Sequence, residues 1–161
     1  MKKVFVIGGI IVIIVAWYLF RPEKLFIDES VNEGFPSRYS EQSDDSPRVV
    51  SEGEFHGVAH ETSGTASIFR LPEGSYVLRL TDFETSNGPD VRVYLGRAED
   101  ANDNDTVTNA GYIELGALKG NVGDQNYDIP ADTDLGKYHS VTIWCKRFAV
   151  NFGTAPLTVK N

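Results

Sequence analysis

The chain has 161 residues, with fifteen Lys and Arg against twenty-three Asp and Glu, a net charge of −8. So acidic a surface repels nucleic acid and anionic lipid headgroups, which excludes a nucleic-acid role. The single cysteine, Cys145, excludes an internal disulfide, so the fold must stand on its apolar core.

Residues 4–20, VFVIGGIIVIIVAWYLF, form an uncharged, mostly apolar run of seventeen. As a helix it spans about 26 Å at roughly 1.5 Å per residue, the low end of what a bilayer core requires. Lys2 and Lys3 precede it, as in a secretory signal. The run ends, however, in Trp17-Tyr18-Leu19-Phe20-Arg21-Pro22, without the small residues of a cleavage site. The expected arrangement is an uncleaved signal anchor, with a cytoplasmic N-terminus at 1–3, one transmembrane helix at 4–20 and everything after it outside the cytoplasm. The protein is expected at the cell membrane as a single-pass protein.

Residues 21–50 read as a flexible stalk. The stretch SRYSEQSDDSPR is polar and has almost nothing to bury. The preceding EKLFIDESVNEGFP holds a few apolar residues, suited to rest on the domain or on the membrane surface.

Residues 51–161 change to short runs with a period of two, the signature of half-buried strands. Ala66 and Ile68 share a face, as do Tyr76, Leu78 and Leu80, then Val91, Val93 and Leu95, then Ile113 and Leu115. Near the end, Val141, Ile143 and Cys145 oppose Thr142 and Trp144, and Phe148, Val150 and Phe152 follow. The inward parity flips at Lys146 and Arg147, which predicts a bulge or tight turn there. Turn-forming stretches separate the runs: LPEGS, SNGPD, LKGNVGDQN and PADTDLGK. No stretch after the anchor has helical periodicity. The expected fold is all-β, an antiparallel β-sandwich of about seven to nine strands. DLGKY, residues 134–138, has the form of a tyrosine corner, in which the Tyr138 hydroxyl bonds back to the backbone.

Four segments in order resemble the DM-thirteen domain: ETSGTASIF (61–69), LRLTDFETSNGPDVRVYLG (78–96), ELGALKGNVGDQNYDIP (114–130) and YHSVTIWCKRFAVNFGTAPL (138–157). The resemblance covers about Gly53 to Leu157. That module occurs beside haem-binding DOMON domains and in Skeletor-type proteins, and it is commonly labelled an electron-transfer domain. The resemblance implies a redox role for the cysteine of the WCK motif, which falls on Cys145. The chain is expected to lack a DOMON domain of its own.

Thiol chemistry at Cys145 needs exposure and a nearby cation. Lys146 and Arg147 are the candidates to tune the thiolate, and Trp144 to line the site. A lone cysteine cannot run a two-thiol relay, so a disulfide cycle would take a redox protein partner. The alternative is that Cys145 packs as a small hydrophobe beside Val141 and Ile143. The domain would then be a cell-surface recognition or adhesion module, presenting outward aromatics such as Tyr94, Tyr112 and Trp144. Neither reading names a cofactor.

Other candidates are weaker. His56 and His60 would lie about 13 Å apart on a strand, at roughly 3.3 Å per residue, too far for one metal ion. His139 precedes Cys145 by six residues in no standard ligand spacing. Asp82, Glu84, Asn87 and Asp90 form an oxygen-rich loop of calcium-binding type, equally explained as an Asn-Gly-Pro-Asp turn. EDANDNDT, residues 99–106, fails the EF-hand spacing and is expected to be a solvated loop tip. GALKGNVGDQN is glycine-rich but precedes no helix, which excludes a phosphate loop.

Overall fold

A computed structural model describes residues 7–11, 14, 15, 17, 28–35 and 46–160. The strands are β1 (Arg48–Glu54), β2 (His56–Gly57), β3 (Thr62–Arg70), β4 (Tyr76–Thr85), β5 (Val91–Gly96), β6 (Tyr112–Ala117), β7 (Gln125–Ile129), β8 (Ser140–Cys145), β9 (Val150–Pro156) and β10 (Thr158–Val159). They form two antiparallel five-stranded sheets, ordered β10-β1-β3-β4-β7 and β2-β9-β8-β5-β6. The all-β expectation is met. The count exceeds the expected seven to nine because β2 and β10 are two-residue pairings too short to show a period.

The core lies between the sheets and follows the alternation. Ala66, Ile68, Leu78 and Leu80 meet Val93, Leu95, Val141, Ile143, Cys145 and Phe152. The parity flip is real. Residues 146–149 make the β8–β9 turn, with Ala149 in the left-handed region at φ 52°, and the register shifts beside Trp144. Phe148, expected inward, falls in this turn and is 64% exposed.

Two further expectations are corrected. Residues 99–106 are not a bare loop tip: Asp103 caps a helix α1 (Asn104–Ala110), its Oδ1 accepting from Thr106 N at 2.6 Å. Only Val107 of this helix is buried, so it carries no readable periodicity. The second concerns residues 28–35 of the expected stalk, which lie in the stretch read as suited to rest on the domain or on the membrane surface; the domain is where they rest. They lie against the domain as a strap. Ser30 makes a parallel bridge with Val122, Val31 N donates to Val122 O, and Glu33 N donates to Asp124 O. The Glu33 carboxylate accepts from Lys119 Nζ and from Asn126 N, each at 2.8 Å. Phe35 packs edge-on against Phe69 at 4.9 Å. The chain thus crosses the outer face of the first sheet. Residues 21–27 and 36–45 of the expected stalk lie outside the described residues.

Of the expected transmembrane helix, residues 7–11, 14, 15 and 17 are helical and the others lie outside the described residues. Among the described residues no helix is long and apolar enough to cross a membrane.

Strap docking depends on close backbone approach. Gly123 has φ 100°, and a Cβ there would collide with the carbonyl oxygen of Val31. Gly123→Ala should therefore destabilise the protein by about 1–3 kcal/mol, through strain and loss of the strap. The same substitution should cost less once residues 28–35 are deleted, a coupling that thermal unfolding of the four variants measures. Burial opposes the Glu33 charge, but Lys119 and Asn126 outweigh it and hold the carboxyl below its usual pKa of 4.5. A lowered folded pKa gives stability that is present above the unfolded value and lost as pH falls through the folded one. The strap contribution should fade below pH 4.5, and Glu33→Gln should flatten that acid limb.

Candidate functional site

Cys145 is the last residue of β8, paired with Val91 of β5 and Val150 of β9. Its side chain faces inward and is 1% exposed, within the apolar cluster that includes Phe83, Val91, Ile143 and Phe152. The thiol is free. Thiolate chemistry requires an approaching partner at Sγ and a cation to stabilise the charge. In this fold the sulfur is sealed, and the cation proposed to tune it is engaged elsewhere. Lys146 Nζ bonds Glu114 Oε2 at 2.9 Å, and its backbone N–H donates to Asp90 O at 2.8 Å. Asp90 and Glu114 also hold Arg92 from two sides. Arg147 is exposed in the turn.

Trp144 does not line a site with Cys145. Strand alternation sends it through to the other face of the sheet, where it is 4% exposed beside Tyr94, Ala101 and Val107. The rings of Tyr112 and Tyr94 stack at 4.1 Å, and those of Tyr94 and Trp144 lie at 6.2 Å. Burial, together with the Tyr112 hydroxyl, raises the pKa of the Tyr94 phenol. Of the three aromatics expected on the outer surface, only Tyr112 is exposed, at 40%. The segment carrying α1 folds over the other two.

That cover is held by residues the alternation did not single out. Asn151 Nδ2 donates to Ala101 O at 2.7 Å, Thr154 Oγ1 to the same carbonyl at 3.1 Å, and Ser140 Oγ to Ala98 O at 2.8 Å. Asn151 N donates to Asn104 Oδ1 at 2.8 Å, while Asn151 Oδ1 has no partner among the described residues. The glycine-rich stretch is likewise built on two buried amides. Gln125 Nε2 donates to Gly120 O at 2.6 Å, and its Oε1 accepts from Tyr127 Oη at 2.8 Å. Asn121 Nδ2 donates to Asp28 and to Thr85 O, and its Oδ1 accepts from Glu29 N at 2.7 Å. A polar amide in an otherwise apolar run was the available signal for Asn151; Gln125, among Asp124, Asn126 and Asp128, carried none.

The histidines do not converge. His56 Nε2 bonds Asp100 Oδ1 at 2.8 Å, the His60 ring lies on Phe152 at 4.0 Å, and His139 lines an apolar cleft of about 350 Å³ with Tyr76, Leu135 and Tyr138. Tyr138 stands under Arg97, and the corner bond expected of its hydroxyl is not formed among the described residues. Nor does the calcium candidate assemble. Asp90 is committed to Arg92, Asp82 N donates to Asp124, and Asn87 borders a groove with Asp28, Glu61 and Glu84. Among the described residues no three His, Cys, Asp or Glu side chains are placed to hold one metal ion.

Fold and thiol together define the class: an all-β module of two five-stranded sheets whose one cysteine is a core residue. The family model for electron transfer DM13 matches residues 54–157, and the chain belongs to that family. The family description is consistent with a redox role in general. No curated protein and no solved structure matches the chain. The matched region begins at the end of β1, so the strap lies outside it.

Packing at Cys145 sets two substitutions apart. Cys145→Ala removes one buried atom and should cost about 1 kcal/mol. Cys145→Ser places an unpartnered hydroxyl in the apolar cluster and should cost more, about 1–3 kcal/mol. Urea midpoints at unchanged m-value give both numbers.

Proposed function

We propose that this chain is a membrane-anchored, extracytoplasmic docking module of the electron transfer family, in which Cys145 is a core residue and the redox group belongs to a partner protein. The observation that carries this reading is the 1% exposure of Cys145 within its apolar cluster. A sulfur so enclosed packs as a small hydrophobe. The anchor is supported by the apolar residues of the N-terminal helix: Ile7, Ile10, Ile11, Ile14, Val15 and Trp17 are each about half exposed. Apolar surface of that kind calls for lipid or a protein partner. Lys2 and Lys3 in front of it favour an extracytoplasmic domain.

One observation favours a second reading, the thiol role itself. Cys145 stands one residue from the exposed turn 146–149. Local opening of the β8–β9 end would bring the sulfur to a partner's disulfide without unfolding the domain.

A thiol reagent applied to the full chain separates the two. The docking reading expects labelling of Cys145 only through global unfolding, at a rate rising with urea as steeply as the unfolding equilibrium. Labelling in native buffer at a urea-independent rate would overturn it in favour of the thiol role.

A further inference from the structure

The strap brings the chain onto the domain at one particular end. Asp28 accepts from Asn121, which also bonds Thr85 O at the end of β4. The segment after Thr85 runs to Asp90, whose carbonyl receives Lys146 N, and Leu118 N donates to Val91 O in the same layer. The point where the strap first docks and the β8–β9 turn therefore lie at the same end of the sandwich. The opposite end carries the β3–β4 turn and residues 130–133, since Ile129 pairs with Tyr76 at the far end of β4.

Seven residues separate Asp28 from the end of the expected anchor at Phe20. Fully extended, that chain reaches no more than about 28 Å. A tether so short, fastened at this end, keeps it nearer the bilayer than the opposite end. The turn it presents is unlike its surroundings. Phe148 is 64% exposed and is flanked by Arg147, while Lys146 beside them is paired with Glu114; a separate groove at this end is lined by Asp28, Glu61 and Glu84. Aromatic side chains favour the headgroup layer of a membrane, and a guanidinium matches lipid phosphate bidentately. The acidic groove at this end is not a surface that layer accepts, which leaves the turn as the point of contact.

We infer that residues 146–149 form an interfacial contact with the phospholipid bilayer, Phe148 entering the headgroup layer and Arg147 meeting lipid phosphate. The inference rests on the anchor reading above. It goes beyond that reading by fixing which end of the domain faces the membrane.

The test uses the full chain in phosphatidylcholine liposomes with Cys145→Ala, carrying a fluorophore on Ala149→Cys or, as a control at the opposite end, on Asp132→Cys. Lipids bearing a headgroup nitroxide should quench the label at 149 at least twofold more than the label at 132. Phe148→Asp should lower the quenching at 149 at least twofold while leaving the melting temperature unchanged, because the side chain is exposed; quenching at 149 that this substitution leaves unchanged means that the tether alone sets the distance, and overturns the inference. Equal quenching at both positions, in protein that resists carbonate extraction, overturns the inference and leaves the anchor standing. Protein released by carbonate overturns the anchor, and the inference with it.

Discussion

Coverage of β8 on both faces is the constraint from which the rest of the domain follows. All six of its residues are buried. The inner face, Val141, Ile143 and Cys145, packs into the apolar layer between the sheets. The outer face, Ser140, Thr142 and Trp144, would meet solvent in a plain sandwich. Here the chain leaves β5, passes through α1 and returns to β6, and this excursion closes over it. A covering backbone brings carbonyls that must be bonded. The outer face is accordingly polar where the cover touches it, with Ser140, Thr154 and Asn151 donating to Ala98 O and Ala101 O. One consequence is that Trp144 and Cys145, adjacent in sequence, are separated by the sheet and cannot act at one site.

The strap applies similar physics to the first sheet. A segment with only a few apolar residues is held by amides and charges instead. Asn121 bonds both its neighbours on the strap and the end of β4, while Glu33 is enclosed by Lys119 and Asn126. The loop that receives it is set in turn by Gln125, whose amide holds Gly120 and whose oxygen takes the Tyr127 hydroxyl. Folding of residues 118–125 and docking of residues 28–33 are thus coupled through shared hydrogen bonds. The folded unit begins upstream of the region that the family shares.

The inner layer of the sandwich was legible in the sequence because alternation reports a face that is uniformly apolar. Ala66, Ile68, Leu78, Leu80, Val93, Leu95 and Ile143 fall where their parity places them. Alternation cannot report what covers the other face. Thr142 and Trp144 read as outward, which they are, but outward here is not exposed. The helix that covers them has one buried residue, too few to create a period, and its clearest mark is the cap Asp103 followed by Thr106. That residues 28–35 could rest on the domain was legible from their few apolar side chains, but where they attach was not, for a related reason. Its attachments join the strap's backbone and its Glu33 carboxylate to groups about ninety positions away, and polar composition is the same for a tether and for a docked strap. As for the candidate site, parity placed Cys145 inward correctly. The tuning role given to Lys146 came from adjacency along the chain, and the fold spends that cation on Glu114.

A sealed thiol and scattered histidines change what an electron-transfer domain of this kind contributes. In the docking reading proposed above, the redox groups belong to partners, and the domain acts by holding those partners at a fixed separation and orientation. That task demands a rigid body fixed relative to its support. The domain achieves rigidity without a disulfide, through two sheets locked by a common apolar layer. In the anchored reading, the strap supplies the second requirement, since it fastens residues 28–35 of the thirty-residue connection to the domain and leaves seven residues between that attachment and the anchor. A partner held by such a domain would meet it at a defined height above the membrane, whereas a free stalk would let that height vary by tens of ångströms. Rigidity at the thiol and restraint at the strap are then two parts of one property: a surface whose position is set by the chain itself.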